Sequence, residues 1–176
     1  EQSASERAMN SIKIFPGWTS KSYDGLKEGR RIRLDNKDLN TTNKNFPDHV
    51  IKAGATVYQG GVNLSFGPEY VNLNLSGVYP NHTEVEVVKL FKGRFINEID
   101  IKERRKVIVL HKKTAEILFD KTHTDPIGQF VNAGNVVYQV VGLYNDKGDS
   151  GDSDAYLPFT TLQTIYNKGD KLNNLI

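Results

Sequence analysis

Residues 106–119 read Lys106-Val107-Ile108-Val109-Leu110-His111-Lys112-Lys113-Thr114-Ala115-Glu116-Ile117-Leu118-Phe119. Behind Lys106 the run is continuously apolar and of strand length, the pattern of a strand covered on both faces. From Lys112 onward Ala115, Leu118 and Phe119 recur at helical spacing, which predicts a helix over 112–119. The stretch is therefore a buried strand followed by a helix.

Downstream, Asp125-Pro126-Ile127-Gly128 has the chemistry of a turn, and the Val- and Tyr-rich run from Asn135 to Tyr144 reads as another buried strand. Four aspartates crowd 146–154 with no apolar residue, which reads as a solvated loop. A strand over Ala155 to Phe159 and a helix from Thr160 to about Asn167 follow. Upstream, Val71, Leu73 and Leu75 alternate with Asn72, Asn74 and Ser76, the period of a half-buried strand over Tyr70 to Gly77. Val50 to Gln59 and Val62 to Phe66 read as two further strands of a meander, separated by Gly60-Gly61. A helix is expected from Pro80-Asn81 through Val88 and Leu90 to Gly93, with a turn leading to Asp100. Nearer the start, Asp35 or Asn36 caps a helix that runs to about Asn45, and residues 11–16 alternate as a first strand.

The whole chain has 176 residues, enough for one domain or two small lobes sharing a core. With 38% hydrophobic and 25% charged residues it is no disordered polymer. Its 23 basic and 21 acidic side chains leave a net charge of +2, too even to mark a nucleic-acid or anionic-lipid binder. The absence of cysteine excludes a disulfide scaffold, a thiolate zinc site and a cysteine nucleophile. No run approaches the length of a membrane helix. The chain opens on Glu1 rather than Met and closes on Asn173-Asn174-Leu175-Ile176 as if inside a strand, so both ends read as cut from something longer.

Catalytic and nucleotide motifs are missing. There is no Walker-type phosphate loop, no Gly-x-Gly-x-x-Gly after a strand and no Gly-x-Ser-x-Gly elbow. His49, His82, His111 and His123 stand too far apart in sequence to place two imidazoles on one helical face. His123 beside Asp125 reads as a braced turn rather than a base or ligand pair. The aspartates at 146, 149, 152 and 154 do not fall in the calcium-loop pattern. The basic runs Lys27 to Arg33 and Lys102 to Lys106 lack interleaved aromatics and read as solvated faces, not nucleic-acid sites. Asn40-Thr41-Thr42, Asn74-Leu75-Ser76 and Asn81-His82-Thr83 match glycosylation sequons by pattern alone.

An ordered set of short pieces carries more. Gly77-Val78-Tyr79-Pro80-Asn81, Gly93-Arg94-Phe95-Ile96, Asp100, Arg105 to Leu110, Ala115 with Leu118-Phe119, Asp125-Pro126-Ile127-Gly128, Val140-Val141-Gly142, Asp154 and Leu157-Pro158 follow one another in a familiar order and spacing. They resemble the extracytoplasmic domain of MacB-like ABC transporter permeases, the group that includes the FtsX-like and lipoprotein-releasing permeases. The resemblance is close over 77–158 and loose over 11–76, and His111 stands where many members have glycine.

The resemblance implies an α+β fold: a mixed, porter-like βαβ lobe built from about 1–50 and 105–176, with an inserted β-rich lobe over about 51–104. Flanking membrane helices would lie outside this chain. It implies a domain on the periplasmic side of the inner membrane that contacts substrate or partner proteins and is coupled mechanically to a cytoplasmic ATPase, with no catalysis and no cofactor of its own. Its expected partners are an ATP-binding subunit or domain, a periplasmic adaptor or lipoprotein, and a second permease copy. The residues carried over are structural ones: Gly77, Pro80, Gly93, Arg94, Phe95, Asp100, Leu118, Phe119, Asp125, Pro126, Gly128, Gly142 and Pro158. An alternative from another class is a free-standing secreted ligand-binding module, for which Trp18, Tyr23, Tyr58, Tyr70 and Tyr79 would supply aromatic contacts. An enzyme would have only His123 and scattered carboxylates behind it.

Overall fold

A computed structural model describes residues 12–45, 53–86, 88–145 and 155–175. In chain order the elements are β1 (Leu34–Asp35), α1 (Asn36–Asn45), β2 (Ala55–Phe66), β3 (Glu69–Val78), α2 (His82–Val85), β4 (Lys89–Gly93), α3 (Glu98–Glu103), β5 (Val107–His111), α4 (Lys112–Phe119), β6 (Phe130–Ala133), β7 (Val136–Asn145), β8 (Ala155–Pro158), α5 (Phe159–Ile165), β9 (Lys171–Leu172) and β10 (Asn174–Leu175). The fold is mixed α+β, as the sequence predicts.

One large sheet runs in the order β10-β2-β3-β8-β5-β7-β4, while β6 pairs with both β2 and β7. The pairings β2–β3, β3–β8, β8–β5, β5–β7, β7–β6 and β6–β2 close into a circuit of six strands. β5 and β7 are parallel, so the chain between them crosses over through α4. β3 and β8 are also parallel, in register from Leu75 opposite Ala155 to Val78 opposite Pro158.

β5 shows why the apolar run at 106–110 is decisive. Ile108 and Leu110 face a large core with Leu118 and Phe119 of α4, Leu64, Leu75, Leu157 and Leu162. Val107 and Val109 face a second, smaller core with Val78, Ile96 and Tyr144. All five residues of β5 are buried. Full burial of each such aliphatic side chain stabilises the fold by about 1.5–3 kcal/mol, and α4 covers the strand because its buried face, Thr114, Ala115, Leu118 and Phe119, repeats at helical spacing. His111 ends β5 and caps α4, its Nδ1 accepting from Lys113 N at 3.3 Å.

Four expectations are corrected. The helix foreseen from 81 to 93 stops at Val85, and Lys89–Gly93 is instead an edge strand on β7. Valines and leucines there simulate helical spacing, but all five residues of β4 are exposed and its backbone bonds to β7 decide its form. The two strands split at Gly60-Gly61 are one, because a register shift between Gln59 and Val62 absorbs the glycines as a bulge, with Gly61 at φ +66°. The first strand reduces, within the described residues, to one bridge from Ile14 to Leu175. The turn before Asp100 is the start of α3. The start of the strand foreseen at Val50, His49 and the aspartate-rich loop at 146–154 lie outside the described residues.

Among the described residues no helix is long and apolar enough to cross a membrane.

Candidate functional site

The signature residues gather in four places. The tightest begins where β4 meets β7. A Cβ on Gly93 would come within 2.3 Å of the Val141 carbonyl, and one on Gly142 within 2.0 Å of the Arg94 carbonyl. The two glycines thus let one backbone lie directly on the other, joined by Arg94 N to Val141 O at 2.9 Å.

That crossing aims Arg94 at α3. Its guanidinium grips Asp100 through two bonds, Nη1 to Oδ2 at 2.6 Å and Nη2 to Oδ1 at 3.1 Å, and Nη1 also donates to Phe95 O. Asp100 is fully buried. Its carboxylate further accepts from Asn97 N at 3.0 Å, while Asn97 Oδ1 accepts from Asp100 N at 2.9 Å, a reciprocal capping box. A buried carboxylate with a forked cation and a backbone donor is fully compensated. The constellation is a brace: its polar atoms are engaged with one another.

Phe95 leads from this brace into a chain of rings. It meets Tyr156 at 5.6 Å between centroids, Tyr156 meets Tyr144 at 4.8 Å and His82 at 5.0 Å, and Tyr144 meets His111 at 5.1 Å. Burial pushes the His82 imidazole down to about 4; Glu86 opposes the shift and Lys13 adds to it. His82 Nδ1 is buried without a hydrogen-bond partner, so the ring is held neutral by packing.

The second place is the join of β3, β8 and α5. Gly77 lies opposite Leu157, one step from the Val78–Pro158 pair. A Cβ on Gly77 would stand 2.8 Å from Val57 Cγ1 and 2.9 Å from Leu162 Cβ, so the glycine seats α5 on the sheet. Pro158 precedes α5, and Pro80 follows Tyr79, whose ring packs on Phe159 at 4.9 Å. The third place is the end of α4, where Leu118 and Phe119 are core and Phe119 packs on Phe66 at 4.3 Å.

Asp125, Pro126 and Gly128 shape the turn toward β6. Asp125 Oδ1 accepts from Ile127 N, Lys92 binds Asp125 Oδ2 at 2.7 Å, and Gly128 takes φ +86°. The Lys92 hydrogen bond, with that of Ile127, holds the Asp125 carboxyl below its ordinary value. His123 is exposed beside this turn.

Among the described residues no three His, Cys, Asp or Glu side chains are grouped to hold a metal ion. Of the aromatic candidates, Trp18, Tyr23, Tyr58 and Tyr70 are exposed and Tyr79 is partly buried in packing. Asn81 of one sequon is buried, its amide against Gly54. The sequence reading missed Asn97, although Asn97-x-x-Asp100 has the spacing of a capping box.

Comparison with known proteins matches this architecture. A family model described as the MacB-like periplasmic core domain matches residues 1–176. The macrolide export ATP-binding/permease protein MacB of Rhodopseudomonas palustris (strain BisB18) is 25% identical over 176 residues, covering 98% of this chain and 26% of that protein. Its counterpart in Neisseria meningitidis serogroup A is 28% identical over 157 residues, 87% of this chain and 23% of that one. The chain therefore spans about a quarter of the length of these relatives. Among solved structures, the periplasmic region of MacB from Actinobacillus actinomycetemcomitans superposes with a TM-score of 0.78 at 23% identity, covering 99% of this chain and 76% of that one. The extracellular domain of the noncanonic ABC-type transporter YknZ from Gram-positive bacteria gives 0.72 at 21% identity, with 93% and 81% covered.

Proposed function

The chain belongs to the MacB-like periplasmic core domain family, the periplasmic part of an ABC transporter permease, and from that premise we propose that it works as a stiff relay. It contacts cargo or a partner protein outside the membrane and is displaced as one body when a cytoplasmic ATPase turns over. It does no covalent chemistry itself. Its partners are the ATP-binding subunit or domain of the same transporter, a second permease copy, and a periplasmic adaptor or lipoprotein. The relatives' names join ATP binding and permease in one protein, which supports the first of these. The two lobes, about 1–50 with 105–176 and about 51–104, share a sheet in this reading, because β3 is hydrogen-bonded to β8.

The observation that carries the proposal is the pairing of Ile14 with Leu175. Ile14 N donates to Leu175 O at 2.9 Å and Leu175 N to Ile14 O at 3.0 Å, and Leu175 also lies opposite Ala55 of β2. Both ends of the described fold are thus fastened side by side to one sheet edge. A shift in either end enters the closed circuit of strands directly, and packed layers transmit it rigidly.

The test uses the full-length transporter in lipid nanodiscs with spin labels at exposed Asn132 and Glu116. Distances between copies should change by several ångströms between the nucleotide-free and ATP-trapped states, while the Asn132–Glu116 distance within one copy stays fixed. Unchanged distances between copies, or a change confined to the interior of one copy, would remove the relay.

A further inference from the structure

The relay leaves the basic run at 102–106 without a task, and the fold gives it a neighbour that the sequence does not announce. Arg105 and Lys106 lead into β5, and the Lys106 carbonyl accepts from Gln139 N at 2.9 Å, which fixes the pair against β7. Beside them stands the outer face of the β6–β7 hairpin, where Phe130 lies opposite Gln139 and Asn132 opposite Val137. Phe130 and Val137 are 58% and 45% exposed although both are apolar. Arg94, Arg105, Lys106, Phe130, Val137 and Gln139 are among the residues that line an open cavity of about 590 Å³.

Three of the eight lining residues are cations and none is a carboxylate, whereas basic and acidic side chains are nearly equal, 23 against 21, over the whole chain. Asp100, which answers Arg94, is buried behind the wall, and Glu103 meets Arg105 through Nε at 2.8 Å. Arg94 and Arg105 each already face a carboxylate, so the rim's net positive charge comes from Lys106, set beside the apolar strip.

We propose that this cavity is a docking groove for an acidic polypeptide segment of a partner protein. Carboxylates of the segment lie against Arg105 and Lys106, and an apolar side chain rests on Phe130 and Val137. Charge and exposure select this occupant. Cations at an open surface are screened and each attracts weakly, so a single small anion gains little, and an occupant must present several carboxylates at once. The apolar strip asks that hydrophobic side chains be interspersed among them. The inference deepens the partner-contact half of the proposed function and rests on it; the relay test above is independent, so failure here would leave ATP-driven displacement standing.

The experiment titrates the 176-residue chain into a fluorescein-labelled octapeptide of glutamates interrupted by phenylalanine, read by anisotropy. Saturable binding is expected, weakening as salt is raised from about 0.05 M to about 0.3 M. The double variant Arg105→Glu/Lys106→Glu should lose roughly tenfold or more in affinity and Phe130→Ser several-fold. Lys27→Glu/Arg31→Glu, the same charge change in the other basic run, should move affinity less than about twofold. Amide shift mapping on the unaltered chain guards against a variant that misfolds: shifts should centre on Lys106, Val137 and Gln139. Absence of binding at low salt, equal losses from both double variants, or shifts centred on 27–33 would overturn the groove. Displacement of the peptide by micromolar decanoate would assign the cavity to a small amphiphile and overturn it equally.

Discussion

Arg94 holds the buried carboxylate of Asp100 by both oxygens, at 2.6 and 3.1 Å, while 41% of the Arg94 side chain remains exposed. The acid is thus committed to the interior and the base stands between interior and solvent. Removing the acid strands no charge in the core, because Arg94 can turn outward; it deletes the fork together with the half of the α3 capping box that the carboxylate makes, while the Asp100 N to Asn97 Oδ1 bond remains.

Asp100→Ala is accordingly expected to cost about 2–3 kcal/mol, short of the full penalty for breaking an ion pair buried on both sides. For a chain of this size that lowers Tm by roughly 5 to 10 °C. Thermal denaturation followed by circular dichroism decides it, and a Tm within about 2 °C of the parent would discard the brace. Arg94→Lys keeps the charge without the fork and should fall between the two.

The backbone crossing gives a sharper contrast. Gly142→Ala forces a methyl to 2.0 Å from the Arg94 carbonyl, and the obstacle is main chain that cannot swing aside. A loss of about 3 kcal/mol or more is expected. Gly128→Ala meets nothing within 4 Å and contends only with φ +86°, a cost of about 1 kcal/mol. Urea midpoints of the two variants should rank in that order; equal midpoints would show that the crossing relaxes.

His82 makes stability depend on pH. Its folded value of about 4 lies below the ordinary 6.5, so the unfolded chain takes up the proton first. The stabilisation is complete above about pH 6.5 and fades as pH falls toward 4, by about 3 kcal/mol in all. His82→Phe keeps a ring against Tyr156 without the titration. The difference in unfolding free energy between the two proteins should vary between about pH 7 and pH 4.5, and a constant difference would acquit His82.

Phe119 tests the larger core. It is 2% exposed and packs on Phe66, so Phe119→Ala should cost about 3–5 kcal/mol. Phe91→Ala, at a ring 56% exposed on β4, should leave Tm nearly unchanged. Parallel thermal melts provide the comparison, and a large loss at Phe91 would mean that β4 is covered in solution.

What sequence alone conveyed follows the range of the interactions involved. The strand and helix over 106–119 were readable because both faces of β5 are buried within one run and α4 repeats its apolar residues at its own period. β3 was readable because Leu73 and Leu75 point inward while Asn72 and Asn74 point outward. β4 was not, since none of its residues is buried and only backbone bonds to β7 make it a strand. β6 was not, because four residues mean little until β2 and β7 stand on either side. The brace was half legible: Gly93, Arg94, Asp100 and Gly142 were singled out separately, but a glycine some fifty positions on cannot announce that its missing Cβ makes room for the Arg94 carbonyl. The groove was invisible for the same reason, its cations and its apolar strip being brought together only by the pairings of β7 with β4, β5 and β6.

The six-strand circuit behaves as a hoop. An open sheet under tension can unzip from its weakest border, one rung after another, and each lost rung loosens the next. A hoop must be cut in two places before any piece can leave, so a pull on one strand is shared by both neighbours and travels around the ring. Under the proposed relay, a part tugged at every working cycle would thereby be protected from peeling, and the two strands of the large sheet left outside the hoop, β4 and β10, are where wear would begin.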